Sequence, residues 1–205
     1  MSKQEKDLST EEKIKEAARR IFTKKGYAAT RTRDIAEAAG INLALLNYYF
    51  RSKEKLFELV MMENFQEFVN GIKSILNNTE TSLENKIEGI VDFYIRQMIQ
   101  NPDLPLFIMN EVRSNAKMIK SRLNKDILIK SHFMMQLAAQ LKKSGNADVN
   151  PVHFIMNIFG MTIMPFIAAP LITELGVLKP QEFEKAMMER KKLIPAWIKT
   201  LLKLA

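Results

Sequence analysis

Apolar residues return at helical spacing through most of the chain. After Ser9, the residues Ile14, Ala17, Ala18, Ile21 and Phe22 recur every three or four positions, which places them on one stripe of a helix. Ser9 followed three residues later by Glu12 reads as a capping box at its start, and Gly26 supplies a left-handed stop. Thr32 is placed to cap a second, short helix with Ile35, Ala36 and Ala39 on its inner face, ended by Gly40. Asn42 caps a third helix, Leu43 to Tyr49, in which Leu46 returns to the core and Phe50 lies just beyond. A short helix, a glycine turn and a second short helix form the signature of a helix-turn-helix. Ser52 caps the next helix, where Leu56, Leu59, Val60 and Phe65 open a longer apolar pattern.

The remaining pattern is helical too. It predicts a helix from Ser82 to Gln100, stopped by Asn101-Pro102, a shorter one from Pro105 to Ser114, and one from Ser121 to Lys143, stopped by Gly145. Asn150-Pro151 opens an apolar stretch closed by Gly176, and Pro180 opens a last helix running nearly to Ala205. With no alternation of strand period and no internal repeat, the fold class is all-α: an N-terminal helix-turn-helix domain, residues 1–55, then an irregular helical bundle, residues 56–205.

Charge narrows the partners. The chain has 31 Lys and Arg against 23 Asp and Glu, a net +8, and residues 1–55 alone hold 13 against 8. The helix-turn-helix segment is thus the basic one, suited to a polyanion such as nucleic acid. There is no Cys, and His132 and His153 are the only histidines, so neither a thiolate site nor a multi-histidine metal centre is expected, and no cofactor. An enzyme is not expected either: no nucleophile has an adjacent base, and no glycine loop cradles phosphate. Val152 to Ile172 invites a membrane reading, but His153, Asn157, Thr162, Pro165 and Pro170 interrupt it, so a buried or interface helix is expected. The polar start, Met1 to Leu8, lacks the apolar core of a secretory signal, and the expected location is the cytoplasm.

On the third helix, Leu43, Ala44 and Asn47 share a face opposite the inward Leu46, which makes them candidates for groove contact. Ala44 lets the backbone approach a base edge, Leu43 suits a thymine methyl, and Asn47 offers paired donor and acceptor groups to adenine. Thr32, Arg33, Tyr48, Tyr49 and Lys53 provide hydroxyls and cations for phosphate oxygens, and Asn42 stands at the start of the same helix. Lys53 also lies at a helix N-terminus, where the dipole favours phosphate.

Residues Ile14 to Leu56 resemble the N-terminal domain of the tetracycline-repressor (TetR) family of bacterial transcription regulators. The resemblance rests on Ala17, Phe22, Gly26-Tyr27, Ala29-Thr30, Thr32, Ile35-Ala36, Ala39-Gly40-Ile41, Leu46, Tyr49-Phe50, Ser52-Lys53-Glu54 and Leu56. It implies a three-helix reading domain, a separate helical domain that holds a small ligand, and a homodimer through the last two helices. It also implies phosphate contacts at Thr32, Tyr48, Tyr49 and Lys53, and base contacts at Arg33, Leu43 and Ala44. The chain departs from the family pattern at Asn47, where Tyr is usual, and at Asn42 and Leu43, where Ser or Thr and a polar residue are more frequent. No motif aligns after Leu56.

The chain has 13 Met and 12 Phe, many beyond residue 60, a composition suited to an adaptable apolar pocket. Phe65, Met98, Met109, Arg113, Phe133, Met134, Met156 and Asn157 are the candidate ligand residues, for an apolar molecule with one polar or acidic end. The expected function is a DNA-binding regulator, a repressor, that holds a palindromic operator as a homodimer and is released by that ligand. Its alternatives are a dimeric DNA binder without an effector and an all-helical enzyme acting on a hydrophobic substrate.

Overall fold

The computed structural model describes residues 9–114 and 130–204, and these form nine helices and no strand. They are α1 (Thr10–Ala29), α2 (Thr32–Ala38), α3 (Leu43–Phe50), α4 (Lys53–Asn77), α5 (Leu83–Gln100), α6 (Leu104–Ser114), α7 (His132–Lys143), α8 (Val152–Glu174) and α9 (Pro180–Leu202). The chain packs as two units, Met1–Phe65 and Gln66–Ala205, so the division falls inside α4. The first unit therefore includes the opening turns of α4, which bring Leu56, Val60, Met61 and Phe65 to its core.

In the first unit the caps follow from side-chain chemistry. Ser9 Oγ accepts from the Glu12 amide at 3.2 Å, and Asn42 Oδ1 accepts from the Leu45 amide at 2.8 Å. Gly26 has φ 72°, so α1 is broken there although helical turns resume to Ala29. Thr32 is not the cap of α2 but its first residue. Arg31 takes the cap position, and Asp34 Oδ2 accepts from its amide at 3.4 Å, the acidic residue three positions on having the better geometry. Ile14, Ala17, Ala18 and Phe22 of α1, Ile35 and Ala36 of α2, and Leu46 and Phe50 of α3 are buried. Glu63 of α4 ties back to α1 through Lys15 at 2.9 Å and Arg19 at 3.1 Å.

The second unit is organised around α5, whose Leu83, Ile87, Ile90, Val91, Tyr94, Ile95 and Met98 are buried. Gly71 of α4 allows a close approach: a Cβ there would lie 2.3 Å from Phe93 Cζ. The expected helix from Ser121 does not run unbroken to Lys143. Ser131 is an N-cap in extended conformation whose Oγ accepts from Met134, so a new helix starts at His132, and residues 121–129 lie outside the described residues. Gly176, at φ 67°, closes α8 as expected.

α8 holds two internal prolines, and each removes the N–H that would bond the carbonyl four residues earlier. For Pro165 that carbonyl belongs to Met161, and Arg190 of α9 donates to it from Nη2 at 2.9 Å. Arg190 thereby substitutes for the missing backbone donor while its guanidinium lies over the Trp197 ring, 5.5 Å from the centroid. By length and composition α8 is apolar enough to cross a membrane, and only 17% of its most apolar window is buried within the chain, so of the two expected forms, a buried or an interface helix, it is not the buried one. Met164 and Leu171 on α8, with Leu193, Trp197 and Leu201 on α9, are exposed.

Candidate nucleic-acid interface

α3 is eight residues long and is fixed from within. Leu46 and Phe50, four apart, are both buried, so they anchor one face and the remaining positions turn outward. Ala44, Asn47, Tyr48 and Tyr49 are exposed and Leu43 is half-buried. Tyr48 is 80% exposed and meets the Tyr49 ring edge-on at 5.5 Å. A large aromatic hydroxyl held so far into solvent serves no packing role within the unit.

The other candidates separate by what already engages them. Arg33 is exposed, and neither it nor Arg51 has an ion-pair partner among the described residues. Thr32, in the first turn of α2, is half-buried with no hydrogen bond to its hydroxyl among the described residues. Asn42 is exposed, but its carbonyl oxygen is used as the cap of α3, which leaves only its amide protons to offer a partner. Lys53 is the most engaged. Its Nζ donates to the carbonyls of Tyr27 at 2.9 Å and Thr30 at 3.0 Å and lies 4.1 Å from the Tyr27 ring centroid. Two of its three protons thus fasten the α1–α2 connection to the start of α4, and one remains for an anion.

Electrostatics in the unit are partly neutralised. Lys25 meets Asp34 at 2.7 Å and, with the Arg31 amide, holds the Asp34 carboxyl below the usual carboxylate range. Arg31 and Arg51, at the N-cap of α2 and the C-cap of α3, are exposed cations that the sequence reading did not nominate. Their signal was their position immediately outside two short helices. Arg51 has φ 56°, an uncommon conformation for a non-glycine residue.

The eight ligand candidates do not converge. Phe65 belongs to the core of the first unit, and Met98 and Phe133 are buried in the second. Met109, Arg113, Met156 and Asn157 are exposed, and Met134 is half-buried. The physical reason is that α8 is apolar on both faces: Phe154, Ile155 and Ile158 pack inward, and Met156 and Asn157 between them face out. In the second unit an apolar cavity of about 20 Å³ is lined by Ile72, Leu76, Ile90, Tyr94, Phe133, Ile155, Ile158 and Phe159. Phe133 is the one candidate that reaches it. Met98 instead lines an open groove of about 430 Å³ with Phe166 and Phe183. No group of three or more His, Cys, Asp or Glu suited to a metal ion occurs among the described residues.

Residues 14–60 match the family model described as bacterial regulatory proteins, TetR family. The chain is 25% identical over 199 residues to the probable HTH-type transcriptional regulator YttP of Bacillus subtilis (strain 168), spanning 95% of this chain and 94% of that protein. It is 32% identical over 90 residues to the HTH-type transcriptional repressor NicS of Pseudomonas putida, spanning 42% of each chain. A solved structure of a TetR/AcrR-family transcriptional regulator from Thermobifida fusca has the same fold, with a TM-score of 0.62 at 20% identity, over 90% of this chain and 96% of that one.

Proposed function

The chain belongs to the TetR family of bacterial transcription regulators, and from that premise we propose that it is a repressor, binding a palindromic operator as a homodimer in the cytoplasm and released by a small, largely apolar ligand. The observation that carries the reading is α3 itself: fastened through Leu46 and Phe50, it turns Ala44, Asn47 and Tyr48 to solvent. Leu43, Ala44, Asn47 and Arg33 meet base edges, while Thr32, Tyr48, Tyr49 and the third proton of Lys53 meet phosphates. A two-fold pair of such helices reads half-sites about 34–36 Å apart, one turn of the duplex. The exposed apolar residues of α8 and α9 supply a self-complementary surface for that pairing.

Release is a population shift. A ligand that binds the arrangement unable to hold DNA lowers operator affinity, and by linkage DNA lowers ligand affinity by the same factor, typically about 1–3 kcal/mol. Selection of bound duplexes from a random library, at fixed salt, tests the DNA reading. Enrichment of an inverted repeat with that half-site spacing is expected, with affinity falling steeply between about 50 and 200 mM salt. Enrichment of single, unrepeated sites, or of none, would count against it. The small size of the core cavity, about 20 Å³, favours one second reading, a dimeric DNA binder with no effector. Operator affinity indifferent to apolar ligands would select it.

A further inference from the structure

Lys86 is the only fully buried charged side chain among the described residues, at 1% exposure. Its Nζ lies 2.7 Å from His132 Nδ1 and 2.8 Å from Gln136 Oε1. Gln136 is held in turn by its own donation to the Thr81 carbonyl at 3.0 Å. Both partners of the ammonium are uncharged acceptors when the imidazole is neutral with its proton on Nε2, and no carboxylate among the described residues reaches Lys86. An ammonium taken out of water without a counter-charge is costly, and burial pushes its pKa below the usual lysine range. Methionine would fill the same volume without that cost. The start of α7 lies at the same place, with Ser131, 0% exposed, as its cap and His132 as its first residue, so the positive end of that helix dipole faces the cluster.

What adjoins this cluster is apolar. Lys86, Ile90 and Tyr94 follow one another at four-residue spacing on α5, so each lies roughly 5–6 Å from the next. On α7, Phe133 directly follows His132. Ile90, Tyr94 and Phe133 line the cavity of about 20 Å³, with Ile72 and Leu76 of α4 and Ile158 of α8 opposite. The ammonium therefore stands one helical turn from the end of an apolar seam.

We propose that the effector is an apolar monocarboxylic acid, its carboxylate paired with Lys86 beside His132 and its hydrocarbon tail lodged in the seam between Ile90, Tyr94 and Phe133. This rests on the reading of the chain as a ligand-released regulator. The carboxylate supplies the counter-charge that the described residues do not offer Lys86, as a charge-assisted hydrogen bond shielded from water. The seam is far smaller than the roughly 300–1,000 Å³ of small-molecule sites, so the tail must displace the packing of α7 and α8 to enter. That displacement gives bound and free protein different structures, which is the requirement for a ligand to shift an equilibrium.

The test is calorimetric titration of the full chain, without DNA, with decanoate and with 1-decanol, repeated on Lys86→Met. Decanoate is expected to bind the unaltered protein roughly tenfold or more tighter than decanol, and Lys86→Met to erase that preference while leaving decanol unchanged. Equal affinity for acid and alcohol, or undiminished acid binding by Lys86→Met, would overturn the proposal. A second reading needs no variant: a nuclear Overhauser contact between the α-methylene of bound decanoate and the Lys86 side chain is expected, and a contact elsewhere instead would also overturn it. Operator binding is measured separately on the same protein. If the operator is held and decanoate is not bound, this inference fails and the DNA reading stands; if decanoate binds without loosening the operator, the site stands and the release reading fails.

Discussion

Asn47 carries an exposed amide with no hydrogen bond to its side chain among the described residues, on the face of α3 opposite Leu46. A bidentate amide suits adenine, and Leu43, one turn earlier, suits the methyl of thymine. Asn47→Ala is therefore expected to weaken binding selectively at operators carrying the contacted A·T pair, by about 1–3 kcal/mol, and to relax preference there. Tyr48→Phe, which removes only the hydroxyl proposed to meet a phosphate, is expected to lower affinity evenly across sequences. Competition assays on a panel of single-base operator variants distinguish the two, and an even loss for Asn47→Ala would assign it to the backbone. At this scale the outward residues were legible from helical periodicity, because burying Leu46 and Phe50 leaves little freedom in what points away. The double engagement of Lys53 with the Tyr27 and Thr30 carbonyls was not legible, since residues 23 and 26 positions apart are brought together only by folding. Lys86 was missed for a related reason: a lysine in a helical pattern reads as solvated, and only the packing of α7 over α5 encloses it.

Among the elements, α8 has the least support from its own backbone. Pro165 leaves the Met161 carbonyl without its helical donor, and Arg190 replaces it from α9. Arg190→Leu is expected to cost about 1 kcal/mol by leaving that part-buried carbonyl without its donor. In a chain that also carries Pro165→Ala, whose restored N–H can bond Met161, the cost should shrink markedly. Urea unfolding of the two single variants and the double variant completes the cycle, and additive losses would mean that the Arg190 bond does not compensate for the proline. The α8 sequence showed where its N–H groups were missing. It gave no sign of the compensating donor, which comes from a different helix. The break before α7 is another such limit: the apolar pattern reads through Ser131, but its hydroxyl caps the Met134 amide and starts a helix anew.

For the whole molecule, the unfinished surface is the apolar exposure of the last two helices. Leu171 is 61% exposed and Trp197 43%, large apolar side chains that the described residues leave uncovered. Leu193→Glu together with Trp197→Glu is expected to leave the helical content intact and to halve the mass measured by sedimentation. Binding to a full palindrome should fall towards that of a single half-site. A variant that stays dimeric would place the interface elsewhere. The helical type of the described elements, the glycine stops at Gly40 and Gly176, and the face of α3 were set by sequence alone, because periodicity and capping act between neighbours a few residues apart; the start of α7 was not. The tertiary structure decided which apolar residues meet each other. Met98, Phe133 and Met156 look alike in the sequence, yet they go to an open groove, a narrow apolar seam and the surface. A helix with two apolar faces does not specify which one turns inward; that choice belongs to the neighbours it packs against.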